Sequence, residues 1–146
     1  MKPLLDLTQT EINEITAAGV VAILVIVLIL SKIRKRFTKN FNTQQIGYRW
    51  QTLQKHCSTR KTWPIAIIEA DTLLDDVLKG MHYKGKTTGE RLVAAQHDMT
   101  TNDLVWYGHK LSTTITGQDV RKLKKQDIVN ALSGFRQALK DLGALE

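Results

Sequence analysis

Residues Trp63 to Lys79 read "WPIAIIEADTLLDDVLK". The first eight, "WPIAIIEA", are the one segment of the chain that resembles a buried strand. The continuation argues against a strand, because "DTLLDDVLK" keeps a helical period and places Ile67, Ala70, Leu74, Val77 and Met81 on one side. Thr62 followed by Pro64 reads as an N-cap and an early-turn proline, which open a helix. Gly80 stands where a C′ glycine would close it.

Outward from this helix the apolar spacing stays helical. Upstream, Ile46, Trp50, Leu53 and Cys57 fall at i, i+4, i+7 and i+11 on one face. Downstream, Thr87 with Glu90 three residues later forms a capping-box pattern before "RLVAAQ". Thr101 or Asn102 caps a further helix in which Leu104, Tyr107, Leu111 and Ile115 share a face. A last helix carries Ile128, Ala131, Leu132, Phe135, Leu139 and Leu142, with Gly143 as its stop. Trp50, Trp63 and Trp106 all lie within these amphipathic segments and are expected in the core. No stretch alternates with period two between turn signals. The expected fold is all-α, with an N-terminal single transmembrane helix followed by a cytoplasmic bundle of about five helices over residues 44–146.

The transmembrane expectation rests on Ile15 to Ser31, "ITAAGVVAILVIVLILS", which contains no ionisable side chain and no polar stripe after Thr16. Its rise of roughly 25 Å is short for a bilayer core, and Ile12 and the stems of Lys32 and Arg34 extend it. Residues 1–14 are net acidic, and "SKIRKR" follows the apolar run, which is the reverse of a cleavable signal peptide. The basic excess on the C-terminal side places that side in the cytoplasm. The expected topology is therefore a single pass through the inner membrane, with residues 1–14 outside. Residues 32–43 read as a basic juxtamembrane stalk, whose Lys32, Arg34, Lys35, Arg36 and Lys39 would meet anionic lipid headgroups at about 1 kcal/mol each. Ala18 and Ala22 form a small-xxx-small pair that would permit close packing in a homodimer.

The formal net charge of +7 over 146 residues points to an anionic partner. Much of it belongs to the membrane flank: beyond residue 39 there are 15 basic and 11 acidic side chains, a weak nucleic-acid footprint. A single cysteine, Cys57, excludes an internal disulfide framework and a multi-cysteine zinc site.

One motif offers sharper chemistry. "GMHYKGKT", Gly80 to Thr87, fits the phosphate-cradling loop pattern and makes Gly85, Lys86, Thr87 and Arg91 candidate nucleotide or phosphate ligands. Such a loop leaves a strand and enters a helix, whereas here a helix precedes it and no later strand ends in a magnesium-binding acid. The loop therefore reads as a helix stop, a turn and a capped start. The four His, at 56, 82, 97 and 109, show no metal-ligand spacing, so neither a metal nor another cofactor is expected. Glu69, Asp71, Asp75 and Asp76 read as a salt-bridge cluster, with Lys79 and Arg91 as the neutralising cations, rather than as catalytic carboxylates. Arg121, Lys122, Lys124 and Lys125 form a basic patch.

The segments "RWQTLQKH", "WPIAIIEADTLLDDVL", "KGKTTGERL", "VWYGHKL" and "ALKDLGAL" resemble a group of small membrane-tethered bacterial proteins of Saccharibacteria-like lineages. The tail also resembles HEPN-type helical bundles. In their catalytic members, a helix of the form "AHKLRNxxxH" supplies an Arg and a His that act on RNA, commonly at a dimer interface. Here Ser112 stands at the Arg position and Gly117 at the His position. The resemblance therefore implies the bundle without the nuclease, since Ser and Gly offer neither a proton acceptor nor cationic stabilisation.

The function expected from these observations is a membrane-anchored, non-catalytic helical module for protein–protein or self-association. A nucleotide- or RNA-binding module using Lys84, Lys86, Arg91 and the "RKLKK" run is the alternative, and a membrane-tethered ribonuclease the third reading.

Overall fold

A computed structural model describes residues 18–29, 42–115 and 123–146. Every regular element among the described residues is a helix, as the periodicity predicts. The first, α1 (residues 18–29), belongs to an N-terminal unit separate from the bundle. Its apolar side chains are exposed on every face, Ile23 by 62% and Leu28 by 61%. Among the described residues no helix is long and apolar enough to cross a membrane. Residues 15–17, 30 and 31 of the expected span lie outside the described residues, as do 1–14 and the stalk over 32–41.

The second unit holds five α-helices among its described residues: α2 (Thr43–Gln54), α3 (Trp63–Gly80), α4 (Thr88–Ala95), α5 (Asn102–Ile115) and α6 (Lys125–Asp141). Asn42 starts α2, its Oδ1 accepting the N–H of Gln44 at 3.0 Å and of Gln45 at 3.4 Å. Asn42 and Thr43, the last two residues of the expected stalk, are thus the N-cap and first residue of α2. Ile46, Trp50 and Leu53 are buried as predicted, but α2 stops at Gln54 and Cys57 lies half-buried in a 3₁₀ turn.

α3 is the central helix and packs against α2, α4, α5 and α6. Because neighbours surround it, Ala66, Ile67, Ala70, Leu73, Leu74, Val77 and Leu78 are all fully buried. Each leucine so enclosed stabilises the fold by roughly 2 kcal/mol. α5 and α6 share the most extensive contact, and two glycines permit their close packing. A Cβ on Gly108 would stand 2.7 Å from the ring of Phe135, and one on Gly134 would stand 2.7 Å from the backbone of Leu104.

That approach rotates α5 away from the predicted face. Val105, Gly108 and Ser112 are buried, whereas Leu104 and Leu111 are partly buried and Tyr107 is 40% exposed. Trp106, expected in the core, is 37% exposed. Hydrophobicity alone selects the leucines, but the Phe135 ring needs the space that only Gly108 leaves. In α6, Ile128, Ala131, Phe135, Leu139 and Leu142 are buried and Leu132 is partly so, close to expectation.

Helix ends show further differences. Gly80 is the last residue of α3 rather than its left-handed stop, and His82 takes that conformation (φ 61°). The His82 N–H bonds Lys79 O at 2.9 Å and the Tyr83 N–H bonds Leu78 O at 3.1 Å, a Schellman pair. Thr62 does not cap α3 with its side chain, because its hydroxyl turns back to His56 O at 2.6 Å. Thr87 does cap α4, accepting the Glu90 N–H at 3.2 Å. Neither Thr101 Oγ1 nor Asn102 Oδ1 caps α5, since both atoms are buried with no hydrogen-bond partner among the described residues. Gly143 (φ 69°) closes α6 as predicted.

Candidate functional site

The acidic residues of α3 project from different sides of the helix, and each meets a different element. Arg49 Nη1 on α2 lies 2.8 Å from Asp76 Oδ2, and His56 Nε2 lies 3.7 Å from Glu69 Oε2. Asp75 accepts from Arg91 Nε and Nη2, both at 2.7 Å, and from Lys79 Nζ at 2.6 Å. Asp71 faces α5 instead. His109 Nδ1 stands 3.0 Å from both of its oxygens, and Ser112 Oγ donates to Oδ2 at 2.5 Å. The four acids therefore tie the central helix to its surroundings, which matches the salt-bridge reading and assigns each partner.

Asp75 and Arg91 are the deepest pair, with side chains 10% and 8% exposed. Burial pushes the Asp75 carboxyl up, but the Lys79 and Arg91 hydrogen bonds and the Arg91 charge outweigh it and hold the group below the usual carboxylate range.

Asp71, His109 and Ser112 are residues whose types can carry catalytic chemistry, and their side chains are largely enclosed. Nδ1 is the ring nitrogen of His109 that faces the carboxylate. The indole of Trp106 meets the imidazole edge-on, with ring centroids 6.0 Å apart. Ser112 gives its hydroxyl to Asp71 and to His109 O, which is not the Ser-to-imidazole contact that activates a nucleophile. The arrangement orients an imidazole and ties α3 to α5. Ser112 is buried, with its hydroxyl bonded to Asp71 and to the His109 carbonyl. Gly117 lies outside the described residues.

The loop from Met81 to Thr87 closes on its own helix. Glu90 Oε2 accepts the Lys86 N–H at 2.6 Å, and Arg91 Nη1 donates to Gly85 O at 2.7 Å. Gly85, Lys86 and Thr87 come together here, with the Glu90 carboxylate at the α4 N-terminus where an incoming anion would sit. Arg91 is buried and directs three of its nitrogens to Asp75 and Gly85. In the basic patch, Lys124 and Lys125 are exposed at the start of α6, while Arg121 and Lys122 lie outside the described residues. The membrane-surface candidates Lys32, Arg34, Lys35, Arg36 and Lys39 lie outside them too. Among the described residues no group of three or more His, Cys, Asp or Glu converges as a metal site.

Sequence reasoning did not pair His109 and Ser112 with Asp71. The available signal was their i, i+3 spacing on α5, which puts two polar side chains on one face. Comparison with protein families, curated proteins and solved structures finds no match to this chain.

Proposed function

We propose that the chain is a membrane-anchored, non-catalytic helical module that engages a protein partner or a second copy of itself at the cytoplasmic face. The observation that carries this reading is α1. It presents Val, Ile and Leu side chains about half exposed or more around its whole circumference, with no charged residue to solvate it. Water is a poor environment for such a surface, and hydrocarbon is a favourable one. The basic residues that follow support the N-out orientation and the contact with anionic headgroups. The non-catalytic part is supported by the acids of α3, which are engaged in ties between helices.

Carbonate extraction of whole membranes, followed by protease treatment of sealed vesicles, tests the anchor. The chain is expected to stay in the pellet with its bundle accessible only from the cytoplasmic side, and release by carbonate would overturn it. Cross-linking of the full chain in cells tests the module: discrete adducts are expected, and their absence counts against it.

A narrower observation supports nucleic-acid binding as a second reading. Trp106 is 37% exposed and Lys110 follows one turn later, which places a stacking surface beside a cation. Labelled RNA titrated at about 150 mM salt separates the two readings, since a salt-sensitive affinity would favour this one.

A further inference from the structure

Two basic runs that lie far apart in sequence meet at one end of the bundle. The first, Lys55 to Lys61, reads "KHCSTRK" and runs through the two 3₁₀ turns between α2 and α3. The second, Lys124 and Lys125, opens α6. Arg60 Nη2 joins them by donating to Leu123 O at 2.8 Å, across 63 positions of the chain. Lys55, Lys61, Lys124 and Lys125 are all exposed, and residues 55–65 and 123–126 contain no acid. Lys55, Lys61 and Lys125 make no ion pair with another described residue. Two acids on the neighbouring helices are already engaged. Asp127 accepts the Tyr107 hydroxyl at 2.7 Å and the Lys124 N–H at 2.8 Å, and Glu69 faces His56 at 3.7 Å. Like charges gathered in this way repel one another, and an anion from outside the bundle relieves that repulsion.

We propose that this end of the bundle docks on the anionic phospholipid headgroups of the membrane that holds the anchor. The proposal rests on the membrane-anchored reading and adds a second contact with the bilayer, separate from the anchor and its basic flank. Three observations favour a lipid surface. Lysine is a compact charge on a flexible stem, which suits a fluid array of headgroups better than a fixed planar ligand. Ile65, in the first turn of α3 and four residues after Lys61, is 43% exposed, so the cations border an apolar side chain, as on interfacial surfaces. Trp63, the aromatic residue of the same segment, turns inward. Its indole N–H donates to Cys57 O at 3.0 Å and its ring packs against the core, so it offers no platform for a stacked base. Lys55 follows the last turn of α2, about 18 Å from Asn42. Residues 30–41 can cover at most roughly 40 Å, so the length of the chain permits both contacts.

The test reconstitutes the full chain in nanodiscs of phosphatidylcholine, alone or mixed with phosphatidylglycerol. Exposed lysines are then acylated with an N-hydroxysuccinimide ester, and each site is read by mass spectrometry. Lys55, Lys61, Lys124 and Lys125 are expected to react about fivefold or more slowly in the anionic discs. That protection should vanish at about 0.5 M salt. Lys84 and Lys86, exposed on the loop between α3 and α4, serve as references and should react alike in both discs. The double variant Lys61→Glu with Lys125→Glu should return Lys55 and Lys124 to their rate in neutral discs. Both substituted side chains are exposed, so its thermal midpoint should stay unchanged. Equal acylation in the two discs, or protection that survives in the double variant, overturns the docking surface and leaves the anchor standing. Protection by single-stranded RNA in place of anionic discs overturns it too, and passes these lysines to the nucleic-acid reading. A chain that enters neither disc overturns the anchored reading, and the docking surface with it.

Discussion

Asp75 and Arg91 stand 16 residues apart in sequence and join α3 to α4 through two contacts of 2.7 Å, with both side chains about nine-tenths buried. Removing Asp75 strands the Arg91 charge inside the bundle, and removing Arg91 leaves Asp75 with Lys79 alone at 2.6 Å. Arg91→Ala is expected to destabilise the fold by about 3 kcal/mol, and a urea titration measures it. Replacing both residues with apolar ones of similar size should recover much of that loss, because no charge is then left unpaired.

The same pair sets a pH dependence. The Asp75 carboxyl lies below its ordinary value because the Lys79 and Arg91 bonds outweigh the effect of burial. Backbone and hydroxyl bonds from Thr100 do the same for Asp141, and the Lys124 N–H does so for Asp127. A depressed folded value means stability that is complete above the unfolded carboxylate value of about 3.9 and is lost as pH falls through the folded value. Thermal midpoints should therefore hold through neutral pH and drop below about pH 4. Asp75→Asn should make that acid-side drop shallower.

Glycines in the helices should respond in opposite directions. Gly108→Ala and Gly134→Ala each drive a Cβ to 2.7 Å from its neighbour, and destabilisation of about 1–3 kcal/mol is expected from overpacking. Gly47→Ala meets open space and should stabilise the bundle by up to about 1 kcal/mol. Chemical denaturation of the three variants side by side checks both signs.

Asp71 holds His109 and Ser112 together, so their contributions should be coupled. Ser112→Ala is expected to lower stability by about 1 kcal/mol, and less once Asp71 is already Asn. A double-mutant cycle measured by urea unfolding reads the coupling directly, and additive effects would mean that the contact contributes nothing.

α1 offers a test that leaves the bundle untouched. Leu24→Arg places a charge in the middle of the apolar run, unfavourable by about 3 kcal/mol in hydrocarbon. The variant should shift from the carbonate-resistant pellet towards the supernatant while its circular dichroism stays helical.

Local rules account for the helices and several of their ends. The period running through Ile67, Ala70, Leu74 and Val77 made α3 legible, the Thr87 hydroxyl caps α4 as its spacing with Glu90 suggested, and Gly143 closes α6. These depend on neighbours within about four positions, and such neighbours are visible along the chain. Other features depend on residues that carry no hydrophobic signal. The buried face of α5 runs through Gly108 and Ser112, and its position follows from the bulk of Phe135 on another helix. His82 occupies a left-handed stop that the nearby Gly80 seemed to claim.

From residue order alone follow the all-helical class, the apolar stretch within which α1 lies, and the ion pairing of the acids on α3. Those properties come from periodicity and charge spacing, which act at short range. Packing in three dimensions chose which cation meets which acid, turned Trp106 outward, enclosed Arg91 beside Asp75, and set Arg60 against Leu123. Each of these choices depends on steric fit between helices distant in sequence, and no periodicity along the chain records it.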